Sequence, residues 1–164
     1  MLDLHIRPVS PADLDACAAI EAACYGREGA TRERIAHRIA TYPEGFLVAV
    51  LDRQVVGFLN SGATDQDDLA DEALKDLVGH DPTGTNLVIF SLAVAPGFQH
   101  QRVGRALLIR FIAQAKRLSK ARILLLCRPP LIPYYERVGF VDRGASPSTH
   151  GGLAWHEMAL WLSA

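Results

Sequence analysis

Leu92-Ala93-Val94-Ala95-Pro96-Gly97-Phe98-Gln99-His100-Gln101-Arg102-Val103-Gly104-Arg105-Ala106-Leu107-Leu108 is the stretch that decides the fold. It reads as the end of an apolar strand, a short turn, and the start of a long amphipathic helix. A turn that runs straight into a helix leaves its first backbone N–H groups without intrahelical acceptors. Those donors, together with the positive end of the helix dipole, suit a phosphate-type anion.

Outward from this stretch, residues 86–94 are nearly all apolar, as in a strand buried on both faces. Val103, Leu107, Phe111, Ala115 and Leu118 mark one face of a helix over residues 102–118. Residues 123–127 read as a second buried strand, and Pro129-Pro130 break the chain before about two helical turns over 131–137. Gly139-Phe140-Val141 opens another strand, and residues 153–162 supply the last.

Toward the N-terminus, residues 2–7 alternate as a half-buried strand. Ser10-Pro11-Ala12-Asp13 has the makings of a capping box with proline in the first turn. Leu14, Cys17, Ala18 and Glu21/Ala22 continue that helix. Residues 26–30 form a loop with two glycines, expected to serve with the helix after it as a mobile lid. Thr31 caps a second helix to about residue 40, and Pro43-Glu44-Gly45 ends it. Residues 46–51 and 55–59 flank Asp52-Arg53-Gln54 as an antiparallel hairpin. The acidic stretch over residues 65–77, with Leu69, Ala73 and Leu77 four apart, reads as a solvated helix with one apolar stripe. Its carboxylates, including Asp65, Asp67, Asp68, Asp71, Glu72 and Asp76, either form a solvated face or steer a cation. The element order predicts an α/β (α+β) fold with a mixed sheet and helices on both faces. Ligands of such sheets sit at the carboxyl ends of central strands, here the end of residues 86–94.

Composition narrows the function. The chain has 164 residues, 49% of them hydrophobic and 21% charged, which fits one globular domain over residues 1–164. A net charge of −1 gives no electrostatic reason to expect a nucleic-acid partner. No apolar run reaches the roughly 20 residues of a membrane span. Cys17, Cys24 and Cys127 are an odd set without framework spacing, expected as reduced thiols in the cytoplasm. The six histidines lack metal-ligand spacing, so no metal is expected.

A second motif is Pro133-Tyr134-Tyr135-Glu136-Arg137-Val138-Gly139-Phe140, a short helix with a glycine C-cap and an aromatic return to the core. Gln99-x-x-Arg102-x-Gly104 resembles the pyrophosphate signature of the GNAT acetyltransferases, Gln/Arg-x-x-Gly-x-Gly/Ala. The tyrosine segment is similar to the one that follows it in that superfamily. Within the superfamily the chain looks most like the arylalkylamine (serotonin-type) N-acetyltransferases. The stretches that carry this include His80-Asp81-Pro82-Thr83-Gly84, Leu92-Ala93-Val94, Leu124-Leu125-Leu126-Cys127, Leu131-Ile132-Pro133-Tyr134-Tyr135-Glu136-Arg137 and Glu157-Met158.

The resemblance implies a mostly antiparallel sheet split between its central strands to hold acyl-CoA, with acetyl-CoA as cosubstrate. It implies that Leu92, Ala93 and Val94 pair through their backbone with the pantetheine arm. Gln99, His100, Gln101, Arg102, Val103, Gly104 and Arg105 would wrap the pyrophosphate. Tyr135 would face the coenzyme sulfur as general acid, and Phe90, Leu92 and Leu126 would line the acceptor side. The first glycine of the signature is Arg102 here, an arginine expected to keep helical torsions and reach phosphate oxygens. The implied activity is direct acetyl transfer to a small primary amine by a monomer or homodimer, with no nucleic-acid or membrane partner. A peptide or lysine acetyltransferase and a non-catalytic acyl-CoA sensor are the competing readings.

One departure matters for mechanism. The subfamily's two histidines before Leu92 are Val88 and Phe90 in this chain. An alkyl ammonium with a pKa of about 10.4 is free base in roughly 1 part in 2,500 at pH 7, a deficit of about 4.6 kcal/mol. Three routes cover it: water relaying the proton, a residue such as Glu28, Ser91 or Glu136 taking it, or a less basic amine as substrate. Cys127 ends the strand expected nearest the thioester, as either a buried inert thiol or an acyl-accepting nucleophile.

Overall fold

The computed structural model describes residues 3–67, 69, 72–148 and 150–162. Leu2, Asp68 and Asp71, which the sequence reading places in the first strand and the acidic stretch, lie outside the described residues. Seven strands are hydrogen-bonded in the order β1-β2-β3-β4-β5-β7-β6. The β1–β2, β2–β3, β5–β7 and β6–β7 pairs are antiparallel and the β4–β5 pair is parallel, in the mixed α/β class expected. The chain divides into two compact units: residues up to Ser61 with Ser91–Phe111, and Gly62–Phe90 with the residues from Ile112 on.

The first unit holds β1 (Leu4–Pro8), α1 (Leu14–Tyr25), α2 (Arg32–Thr41), β2 (Phe46–Leu51) and most of β3 (Gln54–Thr64). It also holds the end of β4 (Asn86–Val94) and the first turns of α3 (Val103–Arg117). The capping box forms as expected: the Asp13 carboxylate accepts from the Ser10 amide at 2.8 Å. It also accepts from both terminal nitrogens of Arg7, at 2.8 and 2.9 Å, which ties β1 to the start of α1. That guanidinium holds the Asp13 carboxyl below the usual carboxylate range. Thr31 caps α2, its hydroxyl oxygen accepting from the Arg34 amide at 3.2 Å.

The core follows from these helices. Cys17 and Ile20 of α1 and Ile35 and Ile39 of α2 pack with Phe46, Val48, Phe58 and Ala93. Gly57, beside Phe58, faces the other way: a Cβ there would lie 3.3 Å from both Val103 and Leu107. Thus α1 and α2 cover one face of the sheet and the first turns of α3 cover the other. The β2–β3 turn is Asp52-Arg53, with φ of 51° and 67°. It is one residue shorter than expected, because Gln54 already pairs with Leu51. Two left-handed residues make the turn whose twist matches a hairpin.

The second unit holds β5 (Arg122–Cys127), α4 (Ile132–Glu136), β6 (Val141–Ala145) and β7 (His156–Trp161). Its β4–β5 ladder runs from Asn86↔Arg122 to Val88↔Leu124. Buried Lys120 donates to the Pro82 and Gly84 carbonyls at 2.6 and 2.5 Å, fixing the loop before β4. Burial draws its pKa down. Among the described residues of the 65–77 stretch the expected α-helix is not seen: a 3-10 segment spans Glu72–Asp76, and Leu77 leaves it with φ of 61°. The reason is tertiary. Leu69 packs on Val88, Leu124 and Ala159, with Leu74 against the same cluster, a grouping that a straight helix with a Leu69–Ala73–Leu77 stripe would not give.

Candidate active site

The carboxyl end of β4 is built from alternation. The Ala95 amide donates to the Val56 carbonyl of β3 at 2.8 Å. Successive residues of a strand turn their backbone polar groups to opposite edges. The Leu92 and Val94 carbonyls therefore point away from β3, and side chains of the first unit meet both. The Tyr25 hydroxyl donates to Leu92 O at 2.6 Å. Gln99 Nε2 donates to Val94 O at 2.9 Å, and the Cys24 thiol donates to it at 3.2 Å. Gln99, expected around a pyrophosphate, thus has its side-chain amide on the strand.

The turn after β4 begins with a 3-10 segment, Pro96–Phe98, closed by the Phe98 amide on Ala95 O at 2.8 Å. His100 has φ of 62° and Arg102 φ of 68°. This corrects the expectation that Arg102 keeps helical torsions. The chain retains the left-handed geometry that a glycine supplies freely, at a cost of roughly 1–2 kcal/mol for a side-chain-bearing residue. Helix α3 starts one residue later, and the Ala106 amide donates to Arg102 O at 3.0 Å. Helix geometry leaves the Val103, Gly104 and Arg105 amides ahead of that bond without an intrahelical acceptor. The Val103 side chain is buried in the core, whereas His100, Gln101, Arg102 and Arg105 are exposed. The mouth of α3 therefore offers backbone donors flanked by two guanidinium groups. This donor set fits a diphosphate.

On the other face of β4, Ser91 is buried and its hydroxyl donates to Glu21 Oε2 at 3.2 Å. The same oxygen accepts from the Ala30 amide at 2.7 Å, so the loop over residues 26–30 is anchored to α1. The sequence reading named Ser91 and missed Glu21, Cys24 and Tyr25. A signal was present: Cys17, Ile20, Glu21 and Cys24 are spaced as one helix face, and Glu21 is the carboxylate on that apolar stripe.

In the second unit, Tyr135 is buried on α4, its ring edge-on to Phe140 with centroids 5.7 Å apart. Gly139, with φ of 108°, ends the helix and returns Phe140 to the core as expected. Phe90 and Leu126 pack with Leu69, Val88, Leu124 and Ala159 in one apolar cluster. Both positions where the subfamily carries histidine, Val88 and Phe90, thus belong to an apolar wall. Cys127 lies across the β5–β7 ladder from His156, whose Nδ1 is 3.0 Å from Asp142 Oδ1. Burial, reinforced by Asp142, pushes the Cys127 thiol up to about 11, which keeps it protonated and inert at neutral pH. Several acidic side chains of the 65–77 stretch have structural partners, and two of them are paired with cations. Asp67 pairs with Arg143 at 3.0 Å, Asp65 accepts from the Thr85 amide at 2.8 Å, and Glu72 pairs with Lys75 at 3.1 Å. Among the described residues no cluster of three or more His, Cys, Asp or Glu could hold a metal ion. No described helix is long and apolar enough to cross a membrane.

A mixed sheet with a central strand that leads through a turn into a helix mouth rich in backbone donors defines a class, and similarity to known proteins gives it a name. Residues 14–140 match the Acetyltransferase (GNAT) family, and the chain belongs to that family. It is 29% identical over 127 residues to the serotonin N-acetyltransferase of Mesocricetus auratus and 31% identical over 127 residues to that of Macaca mulatta. The aligned part is 77% of this chain but 60% and 61% of those relatives, so the chain spans about three-fifths of their length. The loading GNATL domain of CurA from Lyngbya majuscula has the same fold, with a TM-score of 0.87 at 16% identity over 97% of this chain and 98% of that one.

Proposed function

We propose that this chain is an acetyl-CoA-dependent N-acetyltransferase that acts on a small primary amine of the arylalkylamine type. The observation that carries the reading is the mouth of α3, where the Val103–Arg105 amides, Arg102 and Arg105 follow directly on β4. In this reading Leu92, Ala93 and Val94 give backbone contacts to the pantetheine arm, and the Leu92 amide stabilises the oxyanion. His100 and Gln101 complete the diphosphate loop. Tyr135 protonates the leaving thiolate. The apolar wall that includes Phe90 and Leu126 suits an aromatic acceptor better than a charged peptide. Family membership and the likeness to serotonin N-acetyltransferases support the reaction type. The free thiols of Cys17, Cys24 and Cys127 fit a reducing compartment such as the cytoplasm.

The test is thiol release from acetyl-CoA with 2-phenylethylamine, an alanine-initiated peptide and a lysine peptide offered separately. Turnover with the first supports the reading. Turnover with a peptide alone would move the acceptor class, and thiol release with none of them would point to a sensor.

A further inference from the structure

Buried on α1 is a carboxylate that makes less use of its oxygens than its position demands. Glu21 is 3% exposed. Both of its hydrogen bonds, from the Ala30 amide and the Ser91 hydroxyl, fall on Oε2. Oε1 is buried and has no hydrogen-bond partner among the described residues. Burying a carboxylate is costly. Two donors on one oxygen could be met equally by a glutamine, which carries no charge to desolvate. Anchoring the loop therefore explains Oε2 but leaves the charge and the second oxygen without a structural purpose.

The location supplies a purpose. Ser91 immediately precedes Leu92 on β4. One helical turn beyond Glu21, Tyr25 donates to Leu92 O and Cys24 donates to Val94 O, so this face of α1 lies along β4 from Ser91 to Val94. It covers the strand on the side opposite α3. We propose that Glu21, directly or through the Ser91 hydroxyl, accepts the proton of the acceptor ammonium, the task left open by Val88 and Phe90. The inference rests on the acetyltransferase reading and names the base within it.

The step balances. The ammonium gives one N–H proton to Glu21, at Oε1 directly or at Oε2 through the Ser91 hydroxyl, and the freed lone pair bonds to the thioester carbonyl carbon. The C–S bond then breaks and the nitrogen loses a second proton as the thiolate gains one. Ammonium and thioester become amide, thiol and one proton, which Glu21 passes to solvent. Glu21 acts electrostatically on Cys17, Cys24 and Tyr25 of its own helix. Burial raises the pKa of each, so they stay neutral around pH 7. The strand and the loop contribute the Ser91 hydroxyl and the Ala30 amide, neither of which titrates.

The decisive variant is Glu21→Gln, which keeps an oxygen for both donors. With acetyl-CoA and 2-phenylethylamine, kcat/KM at pH 7 is expected to fall about 10²–10⁴-fold. The deficit should shrink toward pH 10, where the amine is free base without help. The KM for acetyl-CoA and the Tm should hold, and Ser91→Ala should lose less. An undiminished rate in Glu21→Gln, or a deficit equal at every pH, overturns the inference while the unaltered enzyme still turns over. If the unaltered chain releases no thiol with any offered amine, the acetyltransferase reading falls first and this inference falls with it.

Discussion

Tyr25 gives its hydroxyl hydrogen bond to the backbone carbonyl of Leu92 at 2.6 Å, joining the last turn of α1 to the strand that leads into the mouth of α3. Tyr25 is 44% exposed as a residue, while its hydroxyl end is taken out of water where it meets the strand. Tyr25→Phe should lower unfolding free energy by about 0.5–1.5 kcal/mol. Urea denaturation read by fluorescence or circular dichroism measures this, and an unchanged midpoint would remove the bond from the account.

Arg102 occupies a left-handed conformation that the family signature gives to glycine. Arg102→Gly should relieve strain and raise stability by about 1 kcal/mol, offset in part by the greater freedom of glycine in the unfolded chain. The same change removes a cation from the helix mouth and should weaken acetyl-CoA. Thermal unfolding and titration calorimetry on one preparation should therefore move in opposite directions.

Tyr135→Phe removes a hydroxyl and leaves the packing on Phe140 in place. The expected result is a loss of about 10²–10⁴ in kcat with acetyl-CoA affinity retained. Equal activity in stopped assays of thiol release would dismiss Tyr135 as the acid.

The Arg7–Asp13 pair sets part of the acid stability. The Asp13 carboxyl is held low chiefly by its hydrogen bonds from Arg7. A carboxyl lowered on folding stabilises the folded chain fully above its unfolded pKa of about 3.9. That contribution is lost as pH falls below about 4 and through the folded value. Asp13→Asn should therefore lower the Tm at pH 7 and flatten its dependence on pH below 4. Parallel curves for the two proteins down to pH 2 would refute this.

Much of the fold was legible because local and tertiary signals agree. Ser10 and Asp13 box the 3-10 turn Pro11–Asp13 that leads into α1, Thr31 caps α2, and Gly139 closes α4. Where they conflict, the sequence misleads. Leu69, Ala73 and Leu77 have helical spacing, yet Leu69 and Leu74 are drawn onto Val88 and Leu124, and the described residues show a 3-10 segment over Glu72–Asp76. Arg102 was misread for a related reason: side-chain propensity favours helical torsions, whereas the turn between β4 and α3 needs a positive φ. The helix that opens after Arg102 and the short helix that carries Tyr135 could be read from spacing, while the roles proposed for them come from the resemblance to the acetyltransferases. The partnership of Glu21 with Ser91, 70 positions apart, could not, because nothing local marks which strand an α-helical stripe will cover.

The claim beneath all of this is that the mouth of α3 binds the diphosphate of an acyl-carrying coenzyme. Titration calorimetry of the purified chain with acetyl-CoA tests it most directly. Saturable heat that weakens in an Arg102→Ala/Arg105→Ala double variant and with rising salt is the expected result. Absence of any heat from acetyl-CoA with a folded protein, or heat indifferent to both arginines and to salt, would contradict it.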